Sequence, residues 1–402
     1  MIFGEWIYAG FLIVAALVYR VMPSRGRAWW LSACGLAFYA YYSQAFLWLI
    51  VAEILIVLLL VRQSRRHVWA YGLALAITIG ALVVFKYGGL LASTLGMAAA
   101  NLRLPPVPEF PRLVLPLAIS FFTFEFIHYI VDARAGKLPE HGPSEFFAFV
   151  LFFPTMVAGP IKRFQDFKPQ IAVAKAGSQD LNDGITRILI GLAKKLCIAD
   201  TVTPLTLPLL STTAMRAATK EQLVVALLAF ALKIYMDFSG YSDIAIGSAR
   251  LFGLSVPENF NWPYIRANIA QFWRHWHMSL TSWITDYVYI PLGGSRRGLA
   301  IAAANSIVAM AVSGLWHGAQ WHFLIWGMYH GVMLATCRVW TQLAKRPLAE
   351  KFPHLVTGTT GTMVRVAGTA LGIAATFSLV TLGWGLFVMP VDRFAEMLGR
   401  LL

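Results

Sequence analysis

Charge is what this chain has least of. Asp and Glu number 19 in 402 residues, and charged residues of both signs make up 13% of the chain, against about 25% in an average soluble protein. Such a composition leaves no room for a soluble domain of useful size. Cysteine is scarce too: Cys34, Cys197 and Cys337 lie in or beside apolar segments without short paired spacing, which argues against a disulfide framework or a zinc set. There is no Gly-rich phosphate loop and no Gly-x-Ser-x-Gly nucleophile elbow. Lys and Arg outnumber the acids and give a formal charge of +14, yet they sit mostly in short loops and form no basic stripe, so nucleic acid is not an expected partner.

What fills the chain is apolar sequence. Hydrophobic residues make up 58%, gathered into repeated runs of the length a bilayer-spanning helix requires. The fold class expected is all-α and polytopic. The first run, 6–19, follows Glu5 rather than a basic region and reads as a retained helix, not a signal peptide. Runs at 29–42, 45–61 and 68–85 come next, then a Pro-dense loop ending at Pro108 and a span at 113–131 that carries Glu125 and His128. Three basic clusters, around Arg25, Arg65 and Arg134, fall on one side of this zigzag. The positive-inside rule makes that side cytoplasmic, with the N-terminus outside and anionic headgroups adding to the attraction.

Beyond residue 140 the pattern changes. The stretch 146–157 is too short to span, and it runs into alternating aromatic and charged residues at 158–167, a pattern of interfacial or re-entrant pieces. Helices are expected at 184–198, 222–235 and 241–252, the last two separated by a Gly-containing break at 236–240 between Asp237 and Asp243. The stretch 257–297 is too charged to span lipid and too aromatic for a solvated loop. It suits a segment lying across or within a helix bundle and lining a cavity.

His277 lies in that stretch. One apolar segment later, at 313–322, a second polar intrusion holds His317 between Trp316 and Gly318. An ionisable side chain at membrane depth is costly, and its presence there points to function by default. A histidine in a partly dry cavity can take the proton from a hydroxyl as that oxygen attacks an activated acyl carbon, while Trp, Asn or backbone N–H groups stabilise the oxyanion. The residues alone reach acyl or proton transfer and stop there. Blander roles compete: His277 as a helix cap or an orienting group, His275, His322 and His330 as packing or interface residues. Asp237 and Asp243 are expected to satisfy neighbouring cations rather than bind metal. A transporter with a histidine proton relay is the competing class, without a clear inverted repeat in its favour.

Four stretches in order, FFPTMVAGPIKRFQDF, YMDFSGYSDIAIG, NFNWPYIRANIAQFWRHWHMSLTSWITDYVYIPLGG and SGLWHGAQWHFLIWGMYHG, resemble the membrane-bound O-acyltransferase family. The likeness covers about 121–331 and is greatest to the bacterial branch of alginate O-acetylation and of peptidoglycan and cellulose acetylation proteins. It implies one integral domain, 1–402, with N-terminal helices to 112, a core at 113–335 and C-terminal helices at 336–402. About eleven spans with re-entrant segments around a central tunnel, in a bacterial inner membrane, are expected. In the Trp-His-Gly motif the catalytic base falls on His317, and the Arg-Trp-His-x-Ser-Leu pattern puts its companion at His277. Asn259, Asn261, Trp276, Ser279, Asp286 and Trp316 are the candidate substrate-binding residues.

The resemblance further implies no bound cofactor and no metal. The donor is acetyl-coenzyme A or an acyl carrier thioester, and the acceptor is an extracytoplasmic polysaccharide, reached directly or through an SGNH-type partner transferase. Two departures matter. Thr285 stands where an arginine is common, and HMSL and DYVY are shared with the D-alanyl transfer proteins of teichoic acid synthesis, whereas IPLGG points to acetyl transfer. D-alanyl transfer and a lipid or protein acceptor are the alternatives within the family.

Overall fold

A chain whose backbone cannot hydrogen-bond to lipid must close those bonds within each segment. The computed structural model describes residues 5–108, 110–111, 113–174, 176–345, 347, 351 and 358–402, and among these every regular element is helical. Five helical runs are long and apolar enough to cross a membrane: Ser24–Ser64, Val68–Asn101, Lys220–Leu251, Leu299–His317 and Gly361–Val388, with Trp6–Val21 as a shorter apolar helix. The first run breaks at Ser43 into helices Ser24–Ser43 and Leu47–Ser64. Those five are the candidates by length and composition among the described residues, and other parts of the chain lie in shorter or more polar helices such as Ile119–Arg134 and Pro143–Val150. The division expected at 112 falls on a residue outside those described. By internal packing the chain has two compact units.

The first unit comprises 1–195 and 238–258. Its hydrophobic core centres on the stretch that looked interfacial or re-entrant. Phe146, Phe149, Phe152 and Phe153 are all fully buried, and the breaks between helices Pro143–Val150, Phe153–Met156 and Phe164–Val173 are tolerated because protein surrounds them. The segment is therefore part of the hydrophobic core. The preceding helix begins at Ile119 rather than 113, since Pro116 lacks an N–H and Ala118 adopts a left-handed φ of 59°.

Glu125 and His128, exceptional in an apolar run, find their partners in that core. Lys162, fully buried, donates to Glu125 Oε1 and lies 4.6 Å over the Phe149 ring. The Phe164 N–H donates to His128 Nε2 at 2.8 Å, and His128 Nδ1 lies 3.1 Å from Asp132. Nε2 must then be the acceptor and Nδ1 the proton-bearing nitrogen, a neutral histidine held in one tautomer.

Lys220–Leu251 is one unbroken helix, against the expected break at 236–240. Gly240 breaks nothing because it packs at close range: a Cβ on it would lie 2.8 Å from the Gly191 carbonyl, and one on Gly191 would lie 2.5 Å from that of Gly240. Gly184 and Gly247 repeat the arrangement seven residues along. Small residues facing each other let two helix backbones approach, as in membrane helix pairs generally. Asp243 sits on the same pair, 2.5 Å from Arg187 Nε and 2.6 Å from Lys194 Nζ. Two cations thus hold the carboxylate, and among the described residues no group of three or more His, Cys, Asp and Glu could hold a metal ion.

The second unit comprises 196–237 and 259–402. Helices Leu299–His317 and Trp321–Trp340 form a tight hairpin. Its seam is made by Gly314 and Gly327, where a Cβ would lie 2.2 Å from the carbonyls of Phe323 and Met310 respectively. The last helix, Val391–Leu401, is tied back by Glu396, which accepts from Arg216 at 2.7 and 3.0 Å, and by Arg400, which donates to the Ala218 carbonyl at 2.7 Å.

Candidate active site

The site candidates that come together all lie in the second unit. The segment after Asn259 is irregular and then folds into short helices at Ile269–Trp273 and Met278–Ile284, continued by a π-helical turn at Thr285–Tyr289. Four of its aromatic residues, Phe272, Trp273, Trp276 and Trp283, are buried, as is Leu280, while Trp262 is exposed. A segment too polar for lipid is thus covered by protein, as the sequence implied.

His277 caps the Met278–Ile284 helix with φ 44° and ψ 55°. A left-handed non-glycine costs about 1–3 kcal/mol and persists only where its surroundings over-determine it. Asn259 supplies that constraint. Its carbonyl accepts from the Met278 N–H at 2.9 Å, and its side-chain oxygen accepts from the Ser279 hydroxyl at 2.6 Å. The His277 carbonyl in turn accepts from the Thr281 N–H at 2.9 Å. Asn259 and His277 are both fully buried, so the strained position is locked from two sides.

His317 ends the Leu299–His317 helix. The Trp316 indole links the two histidines: its ring centroid lies 5.6 Å from that of His277 and 4.7 Å from that of His317. Trp326 at 5.2 Å and Phe387 at 5.0 Å close further sides of His317. His317 is only half-buried, which combines aromatic walls with access, as a base meeting a substrate hydroxyl requires.

The remaining candidates divide. Ser279 stays beside Asn259, and Trp276 packs against Phe260 at 5.0 Å and Trp384 at 4.9 Å. Asn261 is exposed, and its carbonyl accepts from Arg266 at 2.7 Å. Asp286 is exposed on the π-helical turn. His275 Nδ1 lies 2.7 Å from the Gln271 carbonyl, and His322 lies between the Met389 carbonyl at 3.1 Å and Gln320 Oε1 at 2.7 Å.

One feature escaped the sequence reading. A cavity of about 540 Å³ opens in this unit, walled by Ser306, Met310 and Ser313 of one hairpin helix, Leu334, Cys337 and Arg338 of the other, and Trp273, Arg274, Thr285 and Tyr289. Ser313 is one helical turn from His317. The signal that could have found it is the spacing of His330, Cys337, Arg338 and Thr341, which puts polar and thiol side chains on one helix face together with Leu334. At the rim, Arg338 donates to Ser295 at 2.7 Å and lies 5.5 Å over the Tyr289 ring. Asn305, buried, donates to the carbonyls of Leu292 and Gly294 at 3.2 and 3.1 Å and fixes the adjoining loop.

The chain is similar to several named proteins. The chain is 36% identical over 327 residues to the "Probable alginate O-acetylase AlgI" of Azotobacter vinelandii, covering 79% of this chain and 64% of that one. It is 33% identical over 357 residues to the "Peptidoglycan O-acetyltransferase" of Helicobacter pylori, covering 79% and 65%. To the "Teichoic acid D-alanyltransferase" of Bacillus subtilis it is 34% identical, covering 58% and 61%. The chain spans between about half and two thirds of the length of the curated alginate relatives it matches. Residues 120–380, which hold both histidines, the cavity and the paired glycines, match the family's sequence profile, and the chain belongs to MBOAT, the membrane-bound O-acyltransferase family.

Proposed function

We propose that this chain is an inner-membrane O-acyltransferase that draws an acyl group, acetyl by preference, from a cytoplasmic thioester and delivers it for O-acylation of an extracytoplasmic polysaccharide. The observation that carries the reading is the pair of imidazoles flanking Trp316, a turn beyond a cavity lined by two arginines. His317 acts as base on the attacking hydroxyl. His277, pre-set by Asn259, orients or stabilises the reacting group, and the Trp316 indole fixes the distance between them.

The cavity is read as the donor site. Arg338 reaches Ser295 in the loop that carries Arg296 and Arg297, and a basic loop belongs on the cytoplasmic side. Arg274 and Arg338 suit the phosphates of coenzyme A or of a carrier's phosphopantetheine arm. Acetyl is favoured over D-alanyl because the O-acetylation relatives of Azotobacter vinelandii and Helicobacter pylori each match 79% of this chain, against 58% and 67% for the two D-alanyltransferases. Transfer onward through an SGNH-type partner fits a chain whose described residues form helices as their regular elements.

The test is in cells. Replacing the gene with His317→Ala at equal membrane abundance is expected to remove O-acetyl esters from envelope polysaccharide, by about a hundredfold or more if general-base catalysis has its usual weight. Unchanged ester content would overturn the reading.

A further inference from the structure

Between the cavity and His317 stands a partition of three side chains. Trp273 lines the cavity, and its ring lies 5.2 Å from His330 and 5.8 Å from Trp326. Trp326 lies 4.9 Å from His330 and 5.2 Å from His317. All three partition residues are at least nine-tenths buried: Trp273 is 4% exposed, Trp326 and His330 0%.

Their polar atoms set them apart. Among the described residues, the indole nitrogens of Trp273 and Trp326 and both ring nitrogens of His330 have no hydrogen-bond partner. Buried polar groups are nearly always paired, and the neighbouring Asn259, Asn305 and Ser279 all are. Four unpaired atoms on three touching rings are not scattered packing defects. Gly383 lets His330 pack close on one side: a Cβ there would lie 3.0 Å from His330 Nε2. The helix face through Arg338, Cys337 and Leu334 leads inward to His330, so this face of the cavity ends at these rings.

We propose that Trp273, Trp326 and His330 form the acyl-binding end of the cavity, in which the indole N–H groups and the imidazole receive the carbonyl oxygen of a short thioester-bound acyl group. Two indole donors and one imidazole match a carbonyl oxygen with two lone pairs, and the surrounding rings match a methyl group. The three are binding residues and take no proton from the acceptor. Trp273 is also the stop for acyl length, since a longer chain would have to displace it. The inference rests on the reading of the cavity as donor site.

The experiment uses the full chain in membranes with Cys197→Ser. Cys34 is buried and Cys337 borders the cavity, so maleimide labelling of Cys337 reports occupancy. The probes are phosphopantetheine and S-acetylphosphopantetheine, the arm shared by coenzyme A and acyl carriers. Both are expected to protect Cys337. His330→Leu should raise the half-protecting concentration of the acetylated arm about tenfold, the weight of one good hydrogen bond, and leave that of the free arm unchanged.

Trp326→Phe, which keeps a ring and loses the N–H, should do the same and carries the test if the leucine variant fails to accumulate. A shift equal for both probes, or none, would mean a packing role and overturn the proposal. If the free arm fails to protect the parent, the donor-site reading falls and this inference with it. If it protects and neither variant separates the two probes, the inference falls alone.

Discussion

The buried ionisable groups of the two units are held differently. In the first, Glu125 meets Lys162, His128 is held between Asp132 and the Phe164 N–H, and Asp243 meets Arg187 and Lys194. These groups are ion-paired or hydrogen-bonded to one another, with Glu125 Oε2 left over. In the second, His277 is locked in a strained backbone conformation, His317 is left half open, and His330 lies among rings with its nitrogens unpaired. On the proposed function, the contrast separates polar residues that hold a fold from those that serve the chemistry, although an isolated histidine looks the same in either sequence context.

The sharpest way to break the contrast is to unpair the first unit. Lys162→Met leaves the Glu125 carboxylate buried without its cation and is expected to lower stability by about 3–5 kcal/mol. Adding Glu125→Leu should restore most of it, as replacing a buried ion pair by apolar residues generally does. Thermal unfolding in detergent reads both, and if the double variant were as unstable as the single one, the pair would be doing more than satisfying itself.

Next in size is Asn259→Ala, which removes the side-chain oxygen that accepts from Ser279. A lost buried hydrogen bond is worth about 1 kcal/mol of stability, but acyl transfer should fall about tenfold or more because His277 is no longer fixed. Activity tracking stability alone would assign Asn259 to the fold.

The smallest effect lies at the last helix. The Arg216 guanidinium, hydrogen-bonded to Glu396, holds that carboxyl below its ordinary value. A lowered folded-state value means the tether is complete above the ordinary glutamate range and is lost as pH falls through the lowered one. Limited proteolysis should therefore cut near the C-terminus faster in acid, and Glu396→Gln should remove that pH dependence with little change at neutral pH, as befits an exposed pair.

Much of this was legible in the residues. Apolar runs placed the helices at Ser24–Ser43, Leu47–Ser64 and Leu299–His317 within a few positions of their observed ends, because lipid leaves the backbone no alternative. The unbroken Lys220–Leu251 helix was not legible: Gly240 signals a break unless its opposite number, Gly191, is known to be there. Nor was the burial of 146–153, since a short apolar stretch reads alike at an interface and in a core. For the site, sequence pattern brought forward His277 and His317, but the left-handed His277 and its lock by Asn259 arise from hydrogen bonds that only the folded chain makes. The cavity and its ring partition were missed because Trp273 and Trp326 look like any of the 14 tryptophans.

The central claim is that the second unit's histidines carry the chemistry while the first unit's polar groups carry structure. Its most direct test is acetyl transfer to envelope polysaccharide per folded molecule, compared between His317→Ala and the Lys162→Met, Glu125→Leu double variant. The account predicts a loss of about a hundredfold or more in the first at unchanged melting temperature, and near-parental transfer in the second. Transfer retained by His317→Ala and lost in the double variant would contradict it.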